Sequence, residues 1–197
     1  RSGKAPAGYG AREAADVGAL VDALEAAGRA PAPRVVHGVS LGAVVALHVA
    51  ADRADIAAVV ALEPYANAAD AVRTGFPGVV NDATEWLVDE ETMALALARA
   101  SRRLELDLES LDTRPVLARV EACTLLLQGQ RDTVVPVEAG RALEGANPRA
   151  QRLELPWDGH FSTVGRLDLL ADPVVAWLEL ATTAPATTYW RRFVRRW

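Results

Sequence analysis

One cysteine, one methionine and one lysine are all that 197 residues contain of those three types. The single thiol, Cys123, excludes an internal disulfide and any cysteine-cluster metal site, and it fits a reducing, cytoplasmic setting. With Lys4 as the only lysine, nearly every base is arginine; beside the abundant alanine, this reads as the coding bias of a GC-rich bacterial genome and not as phosphate recognition. An excess of positive charge is missing too. The 21 Lys and Arg stand against 26 Asp and Glu, and the net charge of -5 argues against a nucleic-acid partner, leaving a small molecule as the expected ligand. Long apolar runs are equally scarce: those near Ile56 to Leu62 and Leu41 to Ala50 fall well short of the about 18 residues of a membrane span.

What is present suits one globular domain, with 51% hydrophobic and 24% charged residues. "AREAADVGALVDALEAAG" places Val17, Leu20, Val21 and Leu24 at helical spacing and stops at Gly28. "VVHGVS" then reads as a short strand followed at once by the helical "LGAVVALHVAADRA". Strands are expected at "IAAVVALEP", "CTLLLQGQRD" and "QRLELPW", with helices at "VEAGRALEGA" and "DLLADPVVAWLELA". Alternation of near-continuous apolar runs with helices predicts an α/β fold, a mostly parallel sheet covered on both faces. Between Tyr65 and Val120 the alternation lapses into helix-forming sequence, with Phe76, Trp86, Leu87 and Leu95 as apolar anchors, so residues 65–118 read as a helical insertion over the sheet. Residues 1–64 and 119–181 would form the core, and 182–197 a basic aromatic tail with Trp190, Phe193, Val194 and Trp197 on one helical face.

"GVSLG", Gly38 to Gly42, matches G-x-S-x-G, a pattern that chance alone supplies in a chain of this length roughly one time in fifteen. Its context is what gives it weight. A nucleophilic serine needs a tight strand-to-helix turn that lifts its Oγ above the sheet, and small neighbours such as Gly38 and Gly42 allow strand and helix to approach. The same turn offers the Leu41 amide, at a helix N-terminus, to an oxyanion. Ser40 also needs a base. His37 lies in the same strand and cannot fold back, and His48 is two helical turns further on and reads as packed. His160, in the loop "PWDGHFS", remains. For the acid that orients it, Asp132 is favoured because it lies just past a strand's C-terminal end, where parallel sheets place their sites. Glu63, at the end of "AAVVALEP", is the alternative, and Asp158 reads as a turn former.

The order Ser40, Asp132, His160, carried by "HGVSLGA", "LLLQGQRDTVVPVEAGRAL" and "DGHF", resembles the α/β-hydrolase superfamily, and within it the bacterial serine-aminopeptidase-like hydrolases and esterases. The resemblance runs from Arg1 to about Leu180 and implies two-step acyl transfer on a carboxylic ester or small amide, with no metal and no organic cofactor. It makes the insertion a cap. It also implies several strands before the nucleophile, whereas only Arg1 to Arg34 precede "VVHGVS"; the expectation is an N-terminally incomplete member, without the loop that supplies a second oxyanion amide, a loss of about 10² to 10³ in rate. The Val35 to Val39 strand would then be an exposed edge, open to homodimerisation. A non-catalytic protein of the same fold, acting in interaction or oligomerisation, is the competing expectation.

Overall fold

A computed structural model of the chain describes residues 6–80 and 88–183. Four strands, β1 (Arg34–Val39), β2 (Ile56–Leu62), β3 (Cys123–Gly129) and β4 (Ala150–Leu155), pair in parallel in the order β1-β2-β3-β4. Parallel neighbours need crossover connections, and helices supply them: α2 (Leu41–Asp52) between β1 and β2, and α6 (Val137–Glu144) between β3 and β4. The helix α1 (Ala11–Ala26) precedes the sheet, and α7 (His160–Gly165) and α8 (Leu167–Thr183) follow it. Thus α8 runs two residues beyond the expected linker boundary.

Successive side chains of a strand point to opposite faces of the sheet, so each apolar run serves two helical layers. Val59, Ala61 and Leu126 face Ala43, Ala46, Leu47 and Ala50 of α2, while Ala58, Val60, Leu62, Leu125 and Leu127 face Leu170, Trp177 and Ala181 of α8. Burial on both faces explains why these strands read as continuous apolar runs. Trp177 is fully buried and its Nε1–H donates to Gln151 Oε1 at 2.7 Å. Trp177→Ala should therefore destabilise the fold by about 3–5 kcal/mol, a fall in Tm of roughly 6–20 °C by thermal unfolding.

Between β2 and β3 the described residues form α3 (Ala68–Val80), α4 (Glu90–Leu104), a 3-10 turn at Leu108–Ser110 and α5 (Arg114–Ala118). Two apolar residues face the other way from the expected reading. Leu95 is 58% exposed, because the inward stripe of α4 is Met93, Leu97, Ala100 and Leu104; Leu20 is 57% exposed, because α1 turns Ala14 and Val17 to the core. The Phe76 side chain, Trp86, Leu87 and the tail 184–197 lie outside the described residues.

Several arginines on the described surface pair with carboxylates, among them Arg34 with Glu25 and Asp55, Arg73 with Asp70, Arg114 with Asp112, and Arg141 with Glu154. No helix among the described residues is long and apolar enough to cross a membrane. Among them β1 has a strand on one side only, and Val35 is 40% exposed.

Candidate active site

Ser40 is the single residue between β1 and α2, with φ 53° and ψ -119°. A non-glycine residue in such a region costs about 1–3 kcal/mol and persists only where its surroundings enforce it. Two contacts enforce it here: the Ser40 amide donates to the Leu62 carbonyl at 2.8 Å, and β1 presses against the first turn of α2 so closely that a Cβ on Gly38 would lie 2.0 Å from the Gly42 carbonyl oxygen. Gly38 is thus required for the turn. Gly42 is not required in the same way, since a Cβ there would meet open space. The Ser40 side chain does not cap α2, so its hydroxyl is not spent on the helix. Leu41 opens α2, and its amide belongs to the first turn, whose N–H groups have no carbonyl of their own helix to reach.

Asp132 lies in the turn after β3 and is 6% exposed. Its Oδ1 accepts from the amides of Val134 and Val135, each at 2.8 Å, and that turn is pinned in its place by Gln128 Nε2, which donates to the Val135 carbonyl at 2.8 Å. Its Oδ2 lies 2.8 Å from His160 Nδ1. A carboxylate only accepts, so Nδ1–H donates to it, and in the neutral ring Nε2 is then the nitrogen that carries no proton. Burial alone would raise the Asp132 pKa, but the His160 contact, the Val135 amide and Glu63 together hold it below the usual carboxylate range.

His160 is not in a loop, as the sequence suggested, but is the first residue of α7. Gly159 precedes the helix and its amide donates to Ser162 Oγ at 2.8 Å, a local capping interaction that the pattern "PWDGHFS" does not announce. Phe161 packs edge-on to the imidazole at 5.3 Å between ring centroids, and the Arg131 guanidinium lies 4.7 Å over Trp157. Both aromatics are more than two-thirds exposed, so neither is core.

Glu63 completes the cluster. It follows β2 directly, is wholly buried and adopts φ 52°. Its amide donates to the Leu127 carbonyl at 2.8 Å, and its carboxyl group accepts from the Gly129 amide at 3.0 and 3.2 Å. Gly129 has to be glycine, because a Cβ there would lie 2.3 Å from the Asp158 carbonyl oxygen and 3.2 Å from Glu63 Oε1. Burial, only partly offset by the Thr163 hydroxyl and reinforced by Asp132, raises the Glu63 pKa to about 8.

Sequence reasoning favours Asp132 over Glu63; the fold puts the two side by side, with Asp132 on the imidazole. Ligand atoms of Glu63, Asp132 and His160 lie within 4.8 Å of one another, a spacing open to a metal ion, but the oxygens of both carboxyl groups are already engaged by amides and by the imidazole. Ser40 sits beside this cluster, since the carbonyl it holds belongs to the residue before Glu63. Among the described residues no hydrogen bond joins Ser40 Oγ to His160. The remaining expectations are met by simpler roles: His37 Nδ1 is 3.1 Å from the Val60 carbonyl oxygen, His48 Cδ2 would lie 2.8 Å from a Cβ on Gly10, Asp158 lies 3.7 Å from Arg166, and Cys123 is a buried thiol whose pKa burial raises.

Solved structures share this fold. The enol-lactonase from Burkholderia xenovorans LB400 superposes with a TM-score of 0.60 at 24% identity, over 91% of this chain and 76% of that one. An alpha/beta fold family hydrolase from Bacillus anthracis str. Sterne does so with a TM-score of 0.60 at 18% identity, over 86% and 74%. The chain has the α/β-hydrolase fold. A hydrolase from Pseudomonas aeruginosa PA01 superposes with a TM-score of 0.60 at 25% identity, over 88% of this chain and 73% of that one. By sequence, the chain is 29% identical over 213 residues to RutD of Klebsiella pneumoniae, a protein designated a candidate carbamate hydrolase, covering 91% of this chain and 79% of that protein. No family model matches the sequence.

Proposed function

We propose that this protein is a serine hydrolase that cleaves a carboxylic ester or small amide through an acyl-enzyme. The observation that carries the reading is the 2.8 Å contact between His160 Nδ1 and Asp132 Oδ2, made at the sheet edge where Ser40 stands in its strained turn. In the reaction, Ser40 Oγ attacks the substrate carbonyl carbon while His160 Nε2 takes the hydroxyl proton. The Asp132 carboxylate offsets the charge that develops on the imidazole. The Leu41 amide donates to the oxyanion. Collapse of the tetrahedral intermediate expels the alcohol or amine, which leaves with the proton from Nε2; water, deprotonated at the same nitrogen, then releases the acid and restores Ser40.

The likeness to the designated carbamate hydrolase and to the enol-lactonase supports the choice of carbonyl substrates, since carbamate, lactone, ester and amide all present an acyl carbon to the nucleophile. The test is a fluorophosphonate probe, with the adduct located by peptide mass mapping. Stoichiometric labelling on the peptide that contains Ser40 is the expected result; an unlabelled protein, or an adduct on another residue, overturns the reading.

A further inference from the structure

The proposed reaction uses one carboxylate, yet the site buries two. We infer that Glu63 is a positioning residue whose neutral carboxyl group donates a hydrogen bond to Asp132 and so holds the Asp132 carboxylate on His160. The inference rests on the Ser40, His160 and Asp132 reading given above.

A carboxylate has about four lone-pair positions. Val134, Val135 and His160 occupy three of those on Asp132, which leaves one toward Glu63, a carboxyl group with an oxygen within 4.8 Å of it. Two adjacent ionised carboxylates would need more positive charge than the site offers. The titratable groups facing Glu63 are Asp132, from the turn after β3, and His160, from α7, with the neutral Thr163 hydroxyl on the same helix and the Gly129 amide at the end of β3. The nearby cation and anion are turned elsewhere: Arg131 lies over Trp157, and Asp158 faces Arg166. No arginine pairs with Glu63 among the described residues. Asp132 holds the imidazole and two amides, whereas Glu63 has one amide shared between its oxygens and, beside it, a Thr163 hydroxyl that donates to the Gly159 carbonyl at 3.0 Å, so the proton resides on Glu63. That proton needs an acceptor, and Asp132 is the carboxylate beside it. The direction of both pKa shifts, Glu63 up through burial and Asp132 down through its partners, agrees with this division.

Glu63→Gln keeps a donor toward Asp132 and an acceptor for Gly129 but cannot ionise; Glu63→Leu removes both. The test compares the two variants with the unaltered protein in the rate of fluorophosphonate labelling and in Tm, each from pH 5 to pH 9. The expected result is that Glu63→Gln labels within about threefold of the unaltered protein at pH 7, while Glu63→Leu falls about 10- to 100-fold, as loss of an outer orienting group does. Because the folded-state pKa is raised, the unaltered protein should lose Tm relative to Glu63→Gln as pH climbs from the ordinary glutamate range toward 8, and Glu63→Gln should lack that decline. Equal losses in Glu63→Gln and Glu63→Leu, or the same pH dependence of Tm with and without the carboxyl group, overturn the inference. Should the unaltered protein fail to label, the hydrolase reading falls, while the Tm comparison still decides whether Glu63 is held neutral.

Discussion

Ser40→Ala is expected to abolish fluorophosphonate labelling and to lower ester hydrolysis by about 10⁶-fold, to the level of residual binding and oxyanion contacts. The size of the effect follows from chemistry and not from packing. Alanine removes one oxygen atom from a side chain that makes no capping bond, and it accepts the φ of 53° no worse than serine does. Folding should therefore be unchanged, with a Tm within a degree or two of the parent. No other described residue offers a hydroxyl on the same strand-to-helix turn, so nothing there would replace the proposed nucleophile. Retention of hydrolysis in Ser40→Ala, with the fold intact, would move the chemistry elsewhere in the molecule. The control is Gly38→Ala: its Cβ would lie 2.0 Å from the Gly42 carbonyl oxygen, so it should lose activity together with stability.

Asp132→Asn should lower the rate by about 10⁴-fold with little change in fold. The asparagine carbonyl can still accept from the Val134 and Val135 amides, which keeps the turn. Its amide nitrogen then faces His160 Nδ1, which must become an acceptor, so the imidazole proton moves to Nε2, the nitrogen proposed above to take the proton of Ser40. The loss should appear in kcat and labelling rate alike. There is a matching pH effect on stability. The folded-state pKa of Asp132 is lowered, so its stabilising contribution is present above the ordinary aspartate range and disappears as pH falls through the lowered value. Asp132→Asn should therefore flatten the acid limb of the Tm profile, a change read by thermal unfolding between pH 2 and pH 5. Glu63→Gln acts on the opposite limb, so the two variants separate the two carboxyl groups.

Much of the molecule was open to a reading of local pattern. "VVHGVSLGA" specifies strand, turn and helix within nine residues, because the apolar run, the obligate glycine and the small residues of the first helical turn act on neighbours in the chain. His160 was harder to place. The sequence marked the residue, while a six-residue helix started by Gly159 and Ser162 fixed its backbone. Leu20 and Leu95 have helical spacing yet face solvent, because periodicity gives a stripe and only the packed partner decides where the stripe ends.

By itself, then, the sequence determined the alternation of strands and helices, the position of Ser40 in its turn, and the short list of residues able to serve it. Which acid meets the histidine was decided by tertiary structure. The sequence favoured Asp132, but Asp132 and Glu63 are 69 residues apart in the numbering and each follows an apolar strand, so local pattern could not show that the two meet or which of them touches the imidazole. They become neighbours because β2 and β3 pair with Leu62 opposite Leu127, which brings Glu63 onto the Gly129 amide and under the turn that carries Asp132. The proton that separates their roles follows from burial and from the number of donors each receives, and both are properties of the assembled sheet edge, not of the chain that forms it.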